Sequence, residues 1–225
     1  MAGCAAVGIT MSDYLSPHAQ SVALLTIDFQ RDVSLHGAIF EIPGTAEVLP
    51  QARRLAEAFR CRKLPIVHLV RLYREDGSNA DISRRQAIEE GLRLVVPGSA
   101  GAELVDEIKP STTVKLNPSE LLAGRFQKIG AAEWILYKPR WGAFYATNLE
   151  GHLRYLGIDT LAICGCNFQN CPRATIIEAS ERDFRLILVH DAVSGIYEPG
   201  VAELAKIGVN VMTTVQTISW LDAVQ

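Results

Sequence analysis

Short apolar runs recur along this chain, and the stretches between them carry apolar residues at helical spacing. Six runs stand out: 21–27 (SVALLTI), 65–70 (PIVHLV), 133–137 (EWILY), 160–165 (TLAICG), 185–190 (RLILVH) and 209–212 (VNVM). Their nearly continuous Val, Leu and Ile content predicts strands of a parallel sheet buried on both faces. Helix-like segments fall between them at 48–62, 149–156, 174–182 and 199–206. Strand and helix alternate, so the predicted fold class is α/β with a six-stranded, mostly parallel sheet. In such sheets functional groups gather at the carboxyl ends of the strands, near the point where strand order reverses.

Two stretches break the rhythm. Residues 72–130 combine a polar loop (YREDGSNADISRR, 73–85), a short predicted helix around 85–93, and Gly/Pro-rich turns. That is longer than an ordinary βα connection, and the segment is expected to cover the site. Residues 1–18 read as a tail that packs on a neighbouring subunit, leaving 19–225 as a single domain.

Composition then narrows the function classes. A chain of 225 residues, 48% hydrophobic and 21% charged, can bury one sizeable core. The formal charge is only −3 and the 22 basic residues are dispersed. This points to a small-molecule substrate, with no nucleic-acid and no membrane partner. The opening MAGCAAVGIT lacks a basic leader region, and no run approaches the roughly 18 apolar residues of a membrane span. Cysteines at 4, 61, 164, 166 and 171 are odd in number, which fits reduced thiols and a cytoplasmic location.

Cys171 carries the most chemistry. It stands between a strand-like run and a helix-like segment, where free N–H groups and the helix dipole stabilise a thiolate, so an activated thiol is expected. Two other strands end in an acid and a base, Asp28 after LLTI and Lys138 after WILY. A cysteine nucleophile needs a base for its proton and a cation for its charge, which Asp28 and Lys138 can supply. Backbone N–H groups of the loop before the helix can then hold the oxyanion of a tetrahedral intermediate.

With these residues in place the chain resembles the isochorismatase-like cysteine hydrolases, a family that includes nicotinamidases, N-carbamoylsarcosine amidases, ureidoacrylate amidohydrolases and biuret hydrolases. The resemblance rests on four ordered elements. They are D-x-Q (Asp28, Gln30), K-P-R followed by an aromatic and T-x-L (Lys138, Pro139, Arg140, Phe144, Thr147, Leu149), the loop from Gly165 to Cys171, and D-A (Asp191, Ala192) after the fifth run. It implies a three-layer α/β/α Rossmann-like fold, a catalytic triad of Cys171, Asp28 and Lys138, and a homodimer or homotetramer. It also implies a cis peptide between Cys166 and Asn167, with the N–H groups of Asn167 and Cys171 forming the oxyanion hole. Nicotinamidases of the family carry an Asp/His metal cluster, whereas here the second run holds only His68 within the strand. No metal and no cofactor are therefore expected, and nicotinamide is not the expected substrate. The vinyl-ether-cleaving isochorismatases lack the cysteine, so Cys171 points to C–N bond hydrolysis of a carboxamide or N-carbamoyl (ureido) compound.

The resemblance has departures. Family members often carry Thr three residues before the cysteine and a small or aliphatic residue after it, but this chain has Phe168 and Pro172, an expected change in the loop surface near the substrate. Arg71, Arg140, Arg173 and Tyr145 are candidates to grip a substrate carboxylate or carbonyl. Trp141, Phe144 and Phe168 are candidates for an apolar pocket wall, and Gln30 either orients Asp28 or binds substrate. The pair Cys164 and Cys166 reads as core alternation or as a redox pair. The alternative to an amidohydrolase is a non-catalytic oligomeric scaffold or binding protein of the same fold.

Overall fold

The computed structural model describes residues 14–223. In chain order the elements are β1 (Val22–Ile27), α1 (Arg31–Ser34), α2 (Thr45–Cys61), β2 (Ile66–Val70), α3 (Ile82–Glu89), α4 (Pro118–Leu122), β3 (Gln127–Gly130) and β4 (Glu133–Tyr137). They continue with α5 (Leu149–Tyr155), β5 (Thr160–Gly165), α6 (Cys171–Ser180), β6 (Arg185–Val193), α7 (Glu198–Lys206), β7 (Asn210–Met212) and α8 (Thr214–Asp222). All six predicted runs are strands. A seventh, β3, was not expected, and the sheet runs β3-β4-β2-β1-β5-β6-β7 with every pairing parallel except β3 with β4. The missed strand is the sequence QKIG at an edge, half-buried to exposed along its length, so it lacks the apolar run that marks the interior strands.

Interior strands follow the pattern's logic. Every residue of β1, β2 and β5 is buried. Helix α2 buries Leu49, Ala52, Leu55, Ala56 and Phe59, a stripe at helical spacing that packs against the sheet alongside α8. From β1 the chain steps to β2 on one side, and from β5 it steps to β6 on the other. Right-handed crossovers taken in opposite directions put α2 on one face and α6 on the other, which gives the three layers. They also make the β1/β5 boundary the topological switch point.

Several boundaries differ from expectation. The helix expected around 85–93 is α3 at Ile82–Glu89. Strand β6 runs three residues past His190, so Asp191 and Ala192 lie within it rather than after it. Asp191 accepts from the Thr214 N–H and hydroxyl, which anchors the start of α8. Helix α8 itself opens with a Thr213/Gln216 capping box that the apolar pattern did not reveal.

A buried polar ladder ties the layers together away from the strand ends. His68 Nδ1 lies 2.7 Å from Thr26 Oγ1 and its Nε2 lies 2.6 Å from Glu133, which also takes two bonds from Arg60 of α2. Burial lowers the His68 pKa, so it is neutral. Burial works against the Glu133 carboxylate, but the Arg60 and His68 hydrogen bonds overcome it and hold its pKa at about 2.

The expected tail lies partly outside the described residues, since 1–13 are not among them. Residues 14–18 pack on their own chain: the Leu15 carbonyl accepts from Asn210, and His18 bonds Thr160 and Asp159.

Candidate active site

Asp28, Lys138 and Cys171 meet at the carboxyl end of the sheet. Asp28 follows β1, its N–H extending the ladder to Leu69, and it turns out of the strand with φ of +56°. Lys138 follows β4, with its N–H bonded to Val70 of β2. The two strands flank β2, so their backbones are roughly 10 Å apart and only a long side chain can bridge them. Lys138 does so, fully buried, with Nζ 2.9 Å from Asp28 Oδ2 and 3.3 Å from the Arg140 carbonyl. Asp28 Oδ1 is buried and has no hydrogen-bond partner, so one oxygen is committed and one is open.

Cys171 begins α6, reached from β5 through a tight loop. Gly165 starts that loop at φ +140°, and a Cβ there would stand 2.3 Å from the Ile27 carbonyl oxygen, so only glycine fits against β1. The Cys166–Asn167 peptide is cis. Among the described residues, the N–H groups of Asn167, Gln169 and Cys171 make no hydrogen bond to another protein group, while those of Phe168 and Asn170 are engaged. Of these three residues Asn167 and Cys171 line the cleft, Cys171 at the positive end of the α6 dipole.

The thiol differs from expectation. Burial, and then the negative charge of Asp28 alongside, push the Cys171 pKa up to about 12, outweighing the opposite pull of Lys138 and Arg71. Burial and the carboxylate alongside therefore favour the thiol over the thiolate, against the pull of the helix terminus.

These groups open into a cleft of about 500 Å3, counting its mouth. Its lining comprises Asp28, Gln30, Val33, Phe40, Ile42, Arg71, Tyr73, Arg84, Leu94, Val95, Trp141, Cys166, Asn167, Asn170 and Cys171. Tyr73, Arg84, Leu94 and Val95 come from the 72–130 insertion. Val95 holds φ of +41°, a rare backbone state for a β-branched residue, with its N–H bonded to Asp32.

A model of the isochorismatase domain matches residues 22–217. The chain belongs to the isochorismatase family. It is 28% identical over 200 residues to a probable inactive nicotinamidase of Arabidopsis thaliana, covering 86% of this chain and 93% of that one. It is 26% identical to the N-carbamoylsarcosine amidase of an Arthrobacter species, covering 89% and 71%. Among solved structures, an isochorismatase family protein from Desulfovibrio vulgaris superposes with a TM-score of 0.75 at 31% identity, covering 91% of this chain and 97% of that chain.

Within this isochorismatase-family site the remaining candidates divide. Arg71 and Trp141 line the cleft, Arg71 buried and Trp141 42% exposed at the mouth. Gln30 also lines it, but its amide is spent on the backbone of Arg71 and Ala102, so it is not free to orient Asp28 or to bind substrate. Five candidates lie outside the lining. The Arg140 guanidinium turns to the carbonyls of Pro139 and Asn79, and Tyr145 is exposed. Arg173 pairs with Glu203 and donates to Tyr197. Phe144 packs on Phe184 under Arg182. Phe168 is fully buried edge-on to Tyr197, so the departure at this position does not alter the cleft wall.

Cys164 and Cys166 are both buried and free, and burial raises both pKa values; Cys166 donates to the Asp28 carbonyl. Among the described residues, no three His, Cys, Asp or Glu side chains are grouped to hold a metal, and no helix is long and apolar enough to cross a membrane. Sequence reasoning missed Tyr73, Arg84, Leu94 and Asn170; Asn170 precedes Cys171 directly, and its loop position was the one available signal.

Proposed function

We propose that this chain is a cysteine amidohydrolase that cleaves a C–N bond in a small carboxamide or N-carbamoyl substrate, using side-chain chemistry without a metal. The observation that carries this reading is the buried Asp28, with one oxygen held by Lys138 and the other open, on the wall of the same cleft as Cys171. The raised thiol pKa sets how the reaction must begin. Ionising Cys171 alone would put a second negative charge beside Asp28. Passing the thiol proton to Asp28 as Sγ attacks the carbonyl carbon keeps the pair at a single negative charge, which Lys138 balances throughout.

The carbonyl oxygen then becomes an oxyanion, and the free N–H groups of Asn167 and Cys171 are the donors for it. Collapse breaks the C–N bond, Asp28 returns the proton to nitrogen, and ammonia leaves. Water attacks the resulting thioester and gives a proton to Asp28. The C–S bond breaks, the acid is released, and the proton returns to Cys171. On the same reading, supported by the family resemblance, the enzyme is a cytoplasmic homodimer or homotetramer, an assembly that light scattering on the purified chain checks.

Ammonia release from a panel of small amides and ureides tests the reading. Cys171→Ala and Cys171→Ser should lose turnover by at least about 10^4-fold with an unchanged circular dichroism spectrum. Activity that survives in Cys171→Ala would end the proposal. A second reading, a non-catalytic scaffold, is favoured by the protonated resting thiol and by the relative named as probably inactive. It predicts no ammonia from any panel member.

A further inference from the structure

An asparagine just before a helix ordinarily caps it, its side-chain oxygen accepting from the N–H of the second or third helical residue. Asn170 stands in that place before α6 and makes no capping bond. The local sequence removes both partners. Pro172 has no N–H, and the Arg173 N–H donates to the Phe168 carbonyl at 3.2 Å. The Asn170 carboxamide forms no other side-chain hydrogen bond among the described residues, and it lines the cleft together with Cys171. Its own N–H donates to the Asn167 carbonyl, so only the side chain is free to meet a ligand.

The other polar groups of the cleft decide which end of a substrate this side chain serves. A primary amide brings an oxygen that needs donors and a nitrogen whose N–H groups need acceptors. On the proposed mechanism the oxygen end is served by the backbone N–H groups of Asn167 and Cys171. Side-chain acceptors are scarcer. Gln30 Oε1 is taken by the Arg71 N–H, and the Tyr73 oxygen by the Arg71 guanidinium. Asp28 Oδ1, buried and without a partner, can take one N–H of the nitrogen, which leaves the other for Asn170 Oδ1.

Building on the amidohydrolase reading, we propose that Asn170 is a specificity-determining residue whose side-chain carbonyl accepts a hydrogen bond from the scissile nitrogen of a primary amide. An ester has no N–H at that place, and its leaving oxygen would face the Asn170 oxygen lone pair to lone pair. The residue that favours the amide therefore selects against the ester. The contact strengthens as the reaction proceeds, because the nitrogen takes the proton from Asp28 and gains positive character before the C–N bond breaks and ammonia leaves.

Butyramide and methyl butyrate test this. Both give the same butyryl thioester on Cys171, so a difference between them in kcat/KM arises while the C–N or C–O bond breaks. Asn170→Ala should lower kcat/KM for butyramide by about 10- to 100-fold and change that for methyl butyrate by less than about 3-fold. Since the side chain supports no bond in the fold, Tm should stay within about 1 °C, whereas loss of a working cap would lower it by about 2–4 °C. Equal losses on both probes, an unchanged rate on butyramide, or a Tm lowered by the amount of a lost cap would overturn the proposal. Saturation-transfer NMR of butyramide on Cys171→Ala reads the contact without turnover, and Asn170→Ala in that background should weaken binding by at least about 3-fold. Asn170-dependent binding without turnover of butyramide would support the contact and count against the amidohydrolase reading. Turnover of butyramide that Asn170→Ala leaves unchanged would do the reverse. Neither binding nor turnover would sink the contact and leave the amide panel to decide the amidohydrolase reading.

Discussion

Replacing Lys138 by Met removes the cation beneath Asp28 while keeping a long apolar stem, which isolates the electrostatic part of its role. At 2.9 Å, with an effective dielectric constant of about 20, the attraction to Asp28 is about 6 kcal/mol. Desolvation of the two ions offsets part of that, and stranding one partner of a buried pair costs about 3–5 kcal/mol. For a chain of 225 residues each kcal/mol moves Tm by about 2–4 °C, so Lys138→Met should melt about 6–20 °C lower. The double variant Asp28→Asn/Lys138→Met strands no charge and should be more stable than the sum of the singles by about 2–3 kcal/mol. Urea denaturation of the four proteins measures this coupling. In the activity assay, on the proposed mechanism, losing the cation removes the charge that balances the Asp28–Cys171 pair, and kcat/KM should fall about 10^2- to 10^4-fold. Additivity within about 0.5 kcal/mol, or a single variant as stable as the wild type, would refute the reasoning.

Two further predictions follow from the shifted groups. A Cys171 pKa near 12 means that iodoacetamide labels this residue far more slowly than the exposed Cys61 at pH 8, with the rate climbing only toward pH 12 or on unfolding. Asp28→Asn removes a neighbouring negative charge and should shift the profile to lower pH; peptide mass spectrometry reads it, and half-maximal labelling near pH 8.5 in the folded wild type would contradict it. Because the folded pKa is raised, its contribution to stability is present below about pH 8.5 and is lost as pH climbs toward 12. Glu133 is the opposite case, held at about 2 against an ordinary 4.5, so its contribution is present above pH 4.5 and is lost as pH falls through 2. Glu133→Gln should cost about 3 kcal/mol at pH 7 and flatten the stability curve between pH 4.5 and 2, an effect absent if the two proteins share one acid slope.

What the sequence made legible follows from which forces are local. The buried strands were readable because a strand covered on both faces must be apolar throughout, as β1 is from Val22 to Ile27. β3 escaped because an edge strand has no such requirement. Asp28 and Lys138 were readable as strand-end residues, yet their pairing across β2 became visible only with the strand order. The state of Cys171 was misjudged for a related reason. A helix terminus is visible in sequence and stabilises a thiolate, but burial and the approach of Asp28 are tertiary, and they outweigh it.

The cleft wall shows the same division at the level of function. Asp28, Lys138 and Cys171 come from strand ends and a helix start, positions that the sheet fixes, so the reaction type can be argued from the chain's regular elements. Arg84, Leu94 and Val95 come from the 72–130 insertion, and Phe40 from the connection between α1 and α2, where no periodicity announces which side chain faces the substrate. On the proposed amidohydrolase reading, reaction and selectivity therefore rest on separate parts of the chain, and exchanges in the 72–130 wall should change which amide is accepted while the Asp28–Lys138 pair, anchored to β1 and β4, keeps its 2.9 Å contact.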